Sequence, residues 1–137
     1  MAEERGYRGY IGSRAYFGQR APQHVQNLVV RDYCRRMGFD YLLSATEYAM
    51  PGCTIMLEEV LRELPAAAGI VLYSLFMLPE AKVRRRAVYD RVLGLGCSLH
   101  GAVEGIAIAG DADIARVEDI WAVHQLTRMR EGSLLGR

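Results

Sequence analysis

Two polar stretches, Gly12 to Asn27 (GSRAYFGQRAPQHVQN) and Ser44 to Thr54 (SATEYAMPGCT), carry more chemistry than a chain of 137 residues needs in order to fold. The first holds Ser13, Arg14, Tyr16, Gln19, Arg20, His24, Gln26 and Asn27. Arg14 and Arg20 stand in a glycine-punctuated loop just ahead of an expected helix. An anion placed there would meet backbone N–H groups, the positive end of the helix dipole and a guanidinium fork, so phosphate or carboxylate is the natural ligand. A loop that merely packs on its neighbours is the alternative. Gly12 and Gly18 are too far apart for a dinucleotide-binding fingerprint, and no Walker motif occurs.

His24 falls on the first turn of the expected helix, where the dipole favours a neutral imidazole able to act as base or hydrogen-bond partner. An ordinary polar contact is the competing reading. Ser13 offers a hydroxyl at a strand end, although the G-x-S-x-G elbow is absent and nothing fixes a triad. Glu47 is expected in the second loop, between Thr46 and Tyr48. If the sheet sets the two loops side by side, Glu47, His24 and Arg14 converge as an acid/base set.

The expected catalytic residues are therefore His24, Glu47 and Ser13. Substrate would be held by Arg14, Tyr16, Gln19, Arg20, Gln26 and Asn27, with Tyr73, Ser74 and Glu104 from later strand ends. His100, near Glu104 in the segment HGAVEG, is expected to point at the same edge. Cys53 is expected on the first turn of the second helix, where a dipole could lower its pKa; a small buried residue is the alternative. No HExxH or closely spaced ligand set occurs, so neither a metal nor a cofactor is expected.

The elements that must position these residues follow from hydrophobic spacing. A first strand begins near Tyr10, and Pro22 suits the first turn of a helix carrying Val25, Leu28, Val29, Tyr33 and Met37, closed by Gly38. A short strand, Tyr41 to Ser44, precedes a helix opened by Pro51 and stopped by Pro65, with Leu57, Val60, Leu61 and Leu64 as its buried stripe. Gly69 to Leu75 is a continuous apolar run, as in a strand covered on both faces. Pro79 opens a third helix to Leu93, with Val83, Ala87 and Val88 inward and Arg84, Arg85 and Arg86 outward as a solvated face. Ser98 to Val103 and Ile106 to Ala109 read as strands, and a last helix capped by Asp111 or Asp113 runs from Ile114 to Arg130. Residues 1–6 and 131–137 are expected to fray. Strands alternating with helices predict a single three-layer α/β/α domain with four or five largely parallel strands.

A net charge of +1 makes no global case for nucleic acid or an anionic membrane. Three cysteines at wide spacing exclude a disulfide framework. The opening MAEERGYRGY lacks an apolar stretch and no run reaches membrane-spanning length, so the cytoplasm is the default compartment.

The order of features resembles the N-terminal catalytic domain of serine recombinases, in the segments Tyr10 to Arg14, Gln23 to Cys34, Ser74 to Glu80 and at Glu104. The resemblance implies the fold, and the chain departs from it where that chemistry lives. The arginine position of the first motif holds Gly12, the nucleophile position holds Arg14, and the aspartate and arginines of the later segment correspond to Phe76, Met77 and Glu80. The segments YIGSRAYFGQRAPQHVQNLVVRDYC, YLLSATEYAMPGC and IVLYSLFMLP resemble the sporadic carbohydrate cluster proteins of bacteria. That resemblance implies a setting in surface-carbohydrate gene clusters and brings no catalytic residue.

Together these readings imply a small protein of surface-carbohydrate biosynthesis that binds or converts a phosphorylated or nucleotide-linked sugar. A noncatalytic subunit or ligand sensor beside a larger enzyme is the alternative. Semi-apolar surface expected on the third and last helices, Trp121 included, implies a homo-oligomer.

Overall fold

A computed structural model describes residues 5–16 and 20–135, with the backbone alone for 130–135. Gln19, among the expected ligand-binding residues, lies outside the described residues, as do the outermost parts of the two ends expected to fray.

Strands β1 (Tyr7–Gly12), β2 (Tyr41–Glu47), β3 (Gly69–Leu72), β4 (Ser98–Gly101) and β5 (Ile106–Ile108) form one sheet in the order β2-β1-β3-β4-β5. The first four are parallel, and β5 returns antiparallel to β4 through a turn containing Gly105 at φ 66°. Helix α1 (Gln23–Met37) covers one face, packing Val30, Tyr33 and Cys34 on Ile11, Val71 and Ala102. Helices α2 (Ile55–Arg62), α3 (Lys82–Gly94) and α4 (Asp111–Leu135) cover the other, over Tyr10, Ile70, Leu72 and Leu99. The strand period of two sends Ile70 and Leu72 to one layer and Val71 to the other, which is why β3 reads as unbroken apolar sequence. The expected three-layer α/β fold is the one observed.

Element boundaries differ where proline was the guide. Pro22 is the residue before α1 rather than its first turn, while Gly38, at φ 74°, closes α1 as expected. β2 continues to Glu47, and α2 starts at Ile55 instead of Pro51. One contact explains both: the Glu47 carboxylate accepts the N–H groups of Met56 (3.1 Å) and Leu57 (3.2 Å), capping α2 from the neighbouring strand end. β3 stops at Leu72 and passes into a 3₁₀ turn, Leu75–Met77, so α3 starts at Lys82 rather than Pro79. α4 continues to Leu135, beyond the expected end at Arg130.

The face of α3 also differs. Val83 is 83% exposed and Ala87 is exposed, whereas Arg85 is 2% exposed among Val88, Tyr89 and Val92. Arg85 donates Nε and Nη2 to the Glu118 carboxylate at 2.9 and 2.8 Å, and Nη1 to Glu80 O at 2.7 Å. Its guanidinium lies 4.2 Å from the centroid of the Trp121 ring. Trp121 is itself fully buried, so it is not part of the exposed apolar surface expected on α4. Among the described residues, the large apolar side chains exposed on α4 are Val123, Leu126 and Met129.

Candidate anion-binding site

β1 has β2 on one side and β3 on the other, so the chain leaves the carboxyl ends of these strands in opposite directions. Such a switch point opens a crevice at the sheet edge. Two cavities meet there. One, of about 430 Å³, is walled by the residues after β1, the loop Ala49 to Thr54, the segment leading into α3 and its first turn, and the later part of α4, with Arg14, Arg84 and Arg128 among its lining. The other, of about 270 Å³, lies over the ends of β3 and β4 and is lined by Arg20, Gln26, Tyr73, Ser74, Glu104 and His124. Arg14, Tyr16 and Phe76 line both.

Arg14 is held from below. Its Nη1 donates to the carbonyls of Tyr48 (3.3 Å), Met50 (3.2 Å) and Cys53 (3.2 Å), and its guanidinium lies 4.7 Å from the centroid of the Tyr16 ring. Nε and Nη2 of Arg14 have no partner among the described residues. Burial pushes the Tyr16 hydroxyl pKa up, and that hydroxyl has no hydrogen-bond partner among the described residues. Gly12 makes room for it, because a Cβ there would collide with the Tyr16 side chain.

The shape of both loops traces to two buried polar side chains. Gln26 bonds the N–H and C=O of Gly12 at 3.0 and 2.9 Å and the carbonyl of Ala21 at 2.8 Å, closing the first loop on itself. Glu47, fully buried, accepts from Tyr10 Oη (2.7 Å), Tyr48 N (3.1 Å) and Cys53 Sγ (3.4 Å), besides Met56 and Leu57 N–H. Burial alone would raise its pKa, but the bonds from Tyr10, Met56, Leu57 and Tyr48 hold the carboxyl below the usual range. Burial, with the same bond to Glu47, drives the Tyr10 hydroxyl pKa far upward.

Of the residues expected from sequence, the structure gathers Arg14, Tyr16, Arg20, Gln26, Tyr73, Ser74 and Glu104 around the paired cavities. Glu104 accepts from Ser74 Oγ at 2.8 Å and Leu75 N at 2.9 Å, which fixes its carboxylate at the wall of the smaller cavity. Ser13, His24, Asn27 and Glu47 are not among the lining residues. Ser13 donates to Glu47 O (3.2 Å) and accepts from Gln23 Nε2 (3.0 Å), His24 is exposed on α1, and Asn27 Oδ1 takes the Tyr41 hydroxyl at 3.5 Å. Glu47 is a strand residue saturated by donors rather than a loop carboxylate. Cys53 precedes α2, so it is not on the first turn of that helix.

His100 does not reach this edge. It is buried under α1, with Nδ1 2.8 Å from Tyr33 Oη and Nε2 2.8 Å from Ser98 Oγ, edge-on to Tyr7 and Phe39. Burial lowers its pKa to about 4, so the ring is neutral at pH 7.

Sequence reasoning missed Arg84, Arg128, Phe76 and His124 as wall residues. Arg84 Nη2 donates to Thr54 Oγ1 at 2.7 Å, tying α3 to the start of α2, and His124 stacks on Phe76 at 4.2 Å. No local motif marks them, since they reach the cavities from α3, α4 and the 3₁₀ turn only through packing. Among the described residues, no three His, Cys, Asp or Glu side chains gather as a metal site, and no helix is long and apolar enough to cross a membrane.

Two solved structures share the fold. A resolvase family site-specific recombinase from Streptococcus pneumoniae matches with a TM-score of 0.62 at 10% identity, over 95% of each chain. The N-terminal catalytic domain of TP901-1 integrase matches with a TM-score of 0.55 at 15% identity, over 90% of this chain and 98% of that one. At such identities the likeness is one of fold. No protein-family model matches the sequence, and no curated protein matches it.

Proposed function

We propose that this protein binds an anionic sugar derivative, phosphorylated or nucleotide-linked, in the paired cavities at the carboxyl edge of the sheet. The observation that carries the reading is the convergence of Arg14 and Arg20 from the loop after β1, Arg84 from α3 and Arg128 from α4 onto the paired cavities. The planar, forked donors of guanidinium groups in a concave site match pairs of phosphoryl oxygens. The carboxylate of Glu104 and the hydroxyls of Tyr73 and Ser74 supply partners for sugar hydroxyls on the same wall. The sequence resemblance to sporadic carbohydrate cluster proteins supports a role in surface-carbohydrate biosynthesis.

Ligand binding is better supported than proton transfer by His24 and Glu47. Glu47 already accepts five donors, and His24 lines neither cavity. A ligand-sensing subunit that works beside a larger enzyme therefore gains ground on a self-contained enzyme.

The test is a thermal-shift screen of sugar phosphates and nucleotide sugars on the wild-type chain and on Arg20→Ala, whose exposed side chain leaves the core intact. At a ligand concentration of about 100 Kd, binding to the folded state stabilises by about 2.7 kcal/mol. The expected result is a shift in the wild type that shrinks in the variant. An unshifted wild type across all anionic sugars, with a larger enzyme co-purifying, would leave only the subunit reading.

A further inference from the structure

We infer that the occupant of this site is a nucleoside diphosphate-linked sugar lying across Arg14, with its diphosphate at the junction of the two cavities and one ring system in each. The inference rests on the anion-binding reading above and names its ligand class.

Three features point to a ligand with two ends. The cavities are separate lobes that share Arg14, Tyr16 and Phe76 as a common wall. The smaller lobe, about 270 Å³, falls just below the roughly 300–1,000 Å³ usual for a small-molecule pocket, the larger, about 430 Å³, falls within it, and the two joined at Arg14 remain within it. Cationic groups also stand on both sides of the junction, Arg84 and Arg128 on the larger lobe and Arg20 on the smaller. A single phosphoryl group is satisfied by one or two guanidinium forks. Two linked phosphoryl groups use the whole arc.

Helix termini sharpen the assignment. The N-terminus of α2 is already taken by the Glu47 carboxylate, so it offers nothing to a ligand anion. The N-terminus of α1 carries no side-chain cap, and the residues just before it, Arg20 and Ala21, line the smaller lobe. Negative charge is therefore favoured at the junction and on the α1 side. The smaller lobe then presents Tyr73, Phe76 and Val103 as apolar wall with the Glu104 carboxylate as its acceptor. That combination suits a planar heterocycle with an N–H or amino edge, or a ribose diol. The larger lobe, lined by Ala49, Pro51, Gly52, Thr54 and Glu80 beside its arginines, suits the polar hexose.

Isothermal titration of the full chain with UDP-, GDP-, dTDP- and CDP-linked hexoses, each beside its nucleoside diphosphate and its hexose 1-phosphate, tests the assignment. At least one intact nucleotide sugar is expected to bind at least about tenfold more tightly than either of its halves. Arg20→Ala and Arg84→Ala are each expected to weaken the intact ligand. Arg20→Ala should have the greater effect on the nucleoside diphosphate and Arg84→Ala on the hexose phosphate. If hexose phosphates bind and depend on arginine but no nucleotide sugar binds more tightly, the two-ended ligand is overturned and the anion site stands. If no member of the panel binds, both fall.

Discussion

Tyr10 donates its hydroxyl to Glu47 Oε1 at 2.7 Å, and both side chains are fully buried, one from the centre of β1 and the other from the last residue of β2. This pair lies behind the site and lines neither cavity. The other bonds to the same carboxylate shape the loop whose carbonyls hold Arg14. Replacing Glu47 by alanine strands several buried donors, each costing about 1–3 kcal/mol. Urea denaturation should show a loss of about 3–5 kcal/mol for Glu47→Ala and a smaller one for Tyr10→Phe. A loss under about 1 kcal/mol for Glu47→Ala would mean that the carboxylate is not the clamp described.

His100 predicts acid sensitivity. Its pKa falls from 6.5 to about 4 on folding because burial disfavours the charged ring. Between those values the unfolded chain binds the proton and the folded chain does not. Its contribution is thus complete above pH 6.5 and lost as pH falls toward 4. The shift corresponds to about 3 kcal/mol. Stability measured from pH 7.5 to 4 should fall less steeply in His100→Gln than in the wild type.

Arg85 and Glu118 predict strong coupling. Removing one partner leaves a buried charge without its counterpart, which costs about 3–5 kcal/mol, whereas an apolar pair of similar volume is far milder. Chemical denaturation of Arg85→Met, Glu118→Leu and the double variant should yield a double substitution less damaging than the sum of the singles. Additive losses would deny the coupling.

Gly12 predicts a site-specific defect. A Cβ there would displace Tyr16, which lines both cavities. Gly12→Ala should therefore reduce binding of whichever anionic sugar the wild type takes by more than its loss of stability explains. Unchanged affinity in a folded variant would separate Tyr16 from the site.

DNA strand exchange is expected to be absent. In the sequence resemblance the place of the recombinase nucleophile falls on Arg14, the guanidinium of Arg14 is tied to three backbone carbonyls, and the net charge is only +1. A mobility-shift experiment should show no tight, salt-sensitive duplex binding; finding it would reverse this reading.

Local pattern was enough for the architecture. The unbroken apolar run at β3, the αL glycine after α1 and the alternation of strands with helices each express a rule that acts within one element, so they are legible in one dimension. Arg14, Arg20, Tyr73, Ser74 and Glu104 were legible for the same reason, because strand ends in an open α/β sheet meet at one edge. What tertiary structure decided were the partnerships between distant residues. Glu47 became a helix cap only because α2 begins beside the end of β2. Arg85 turned inward only because Glu118 and Trp121 wait on α4. Arg84 and Arg128 reached the crevice only because α3 and α4 pack beside it. Charge and polarity predict solvent exposure for a residue considered alone. A partner placed by the fold reverses that balance, and no spacing rule within one element records where the partner will be.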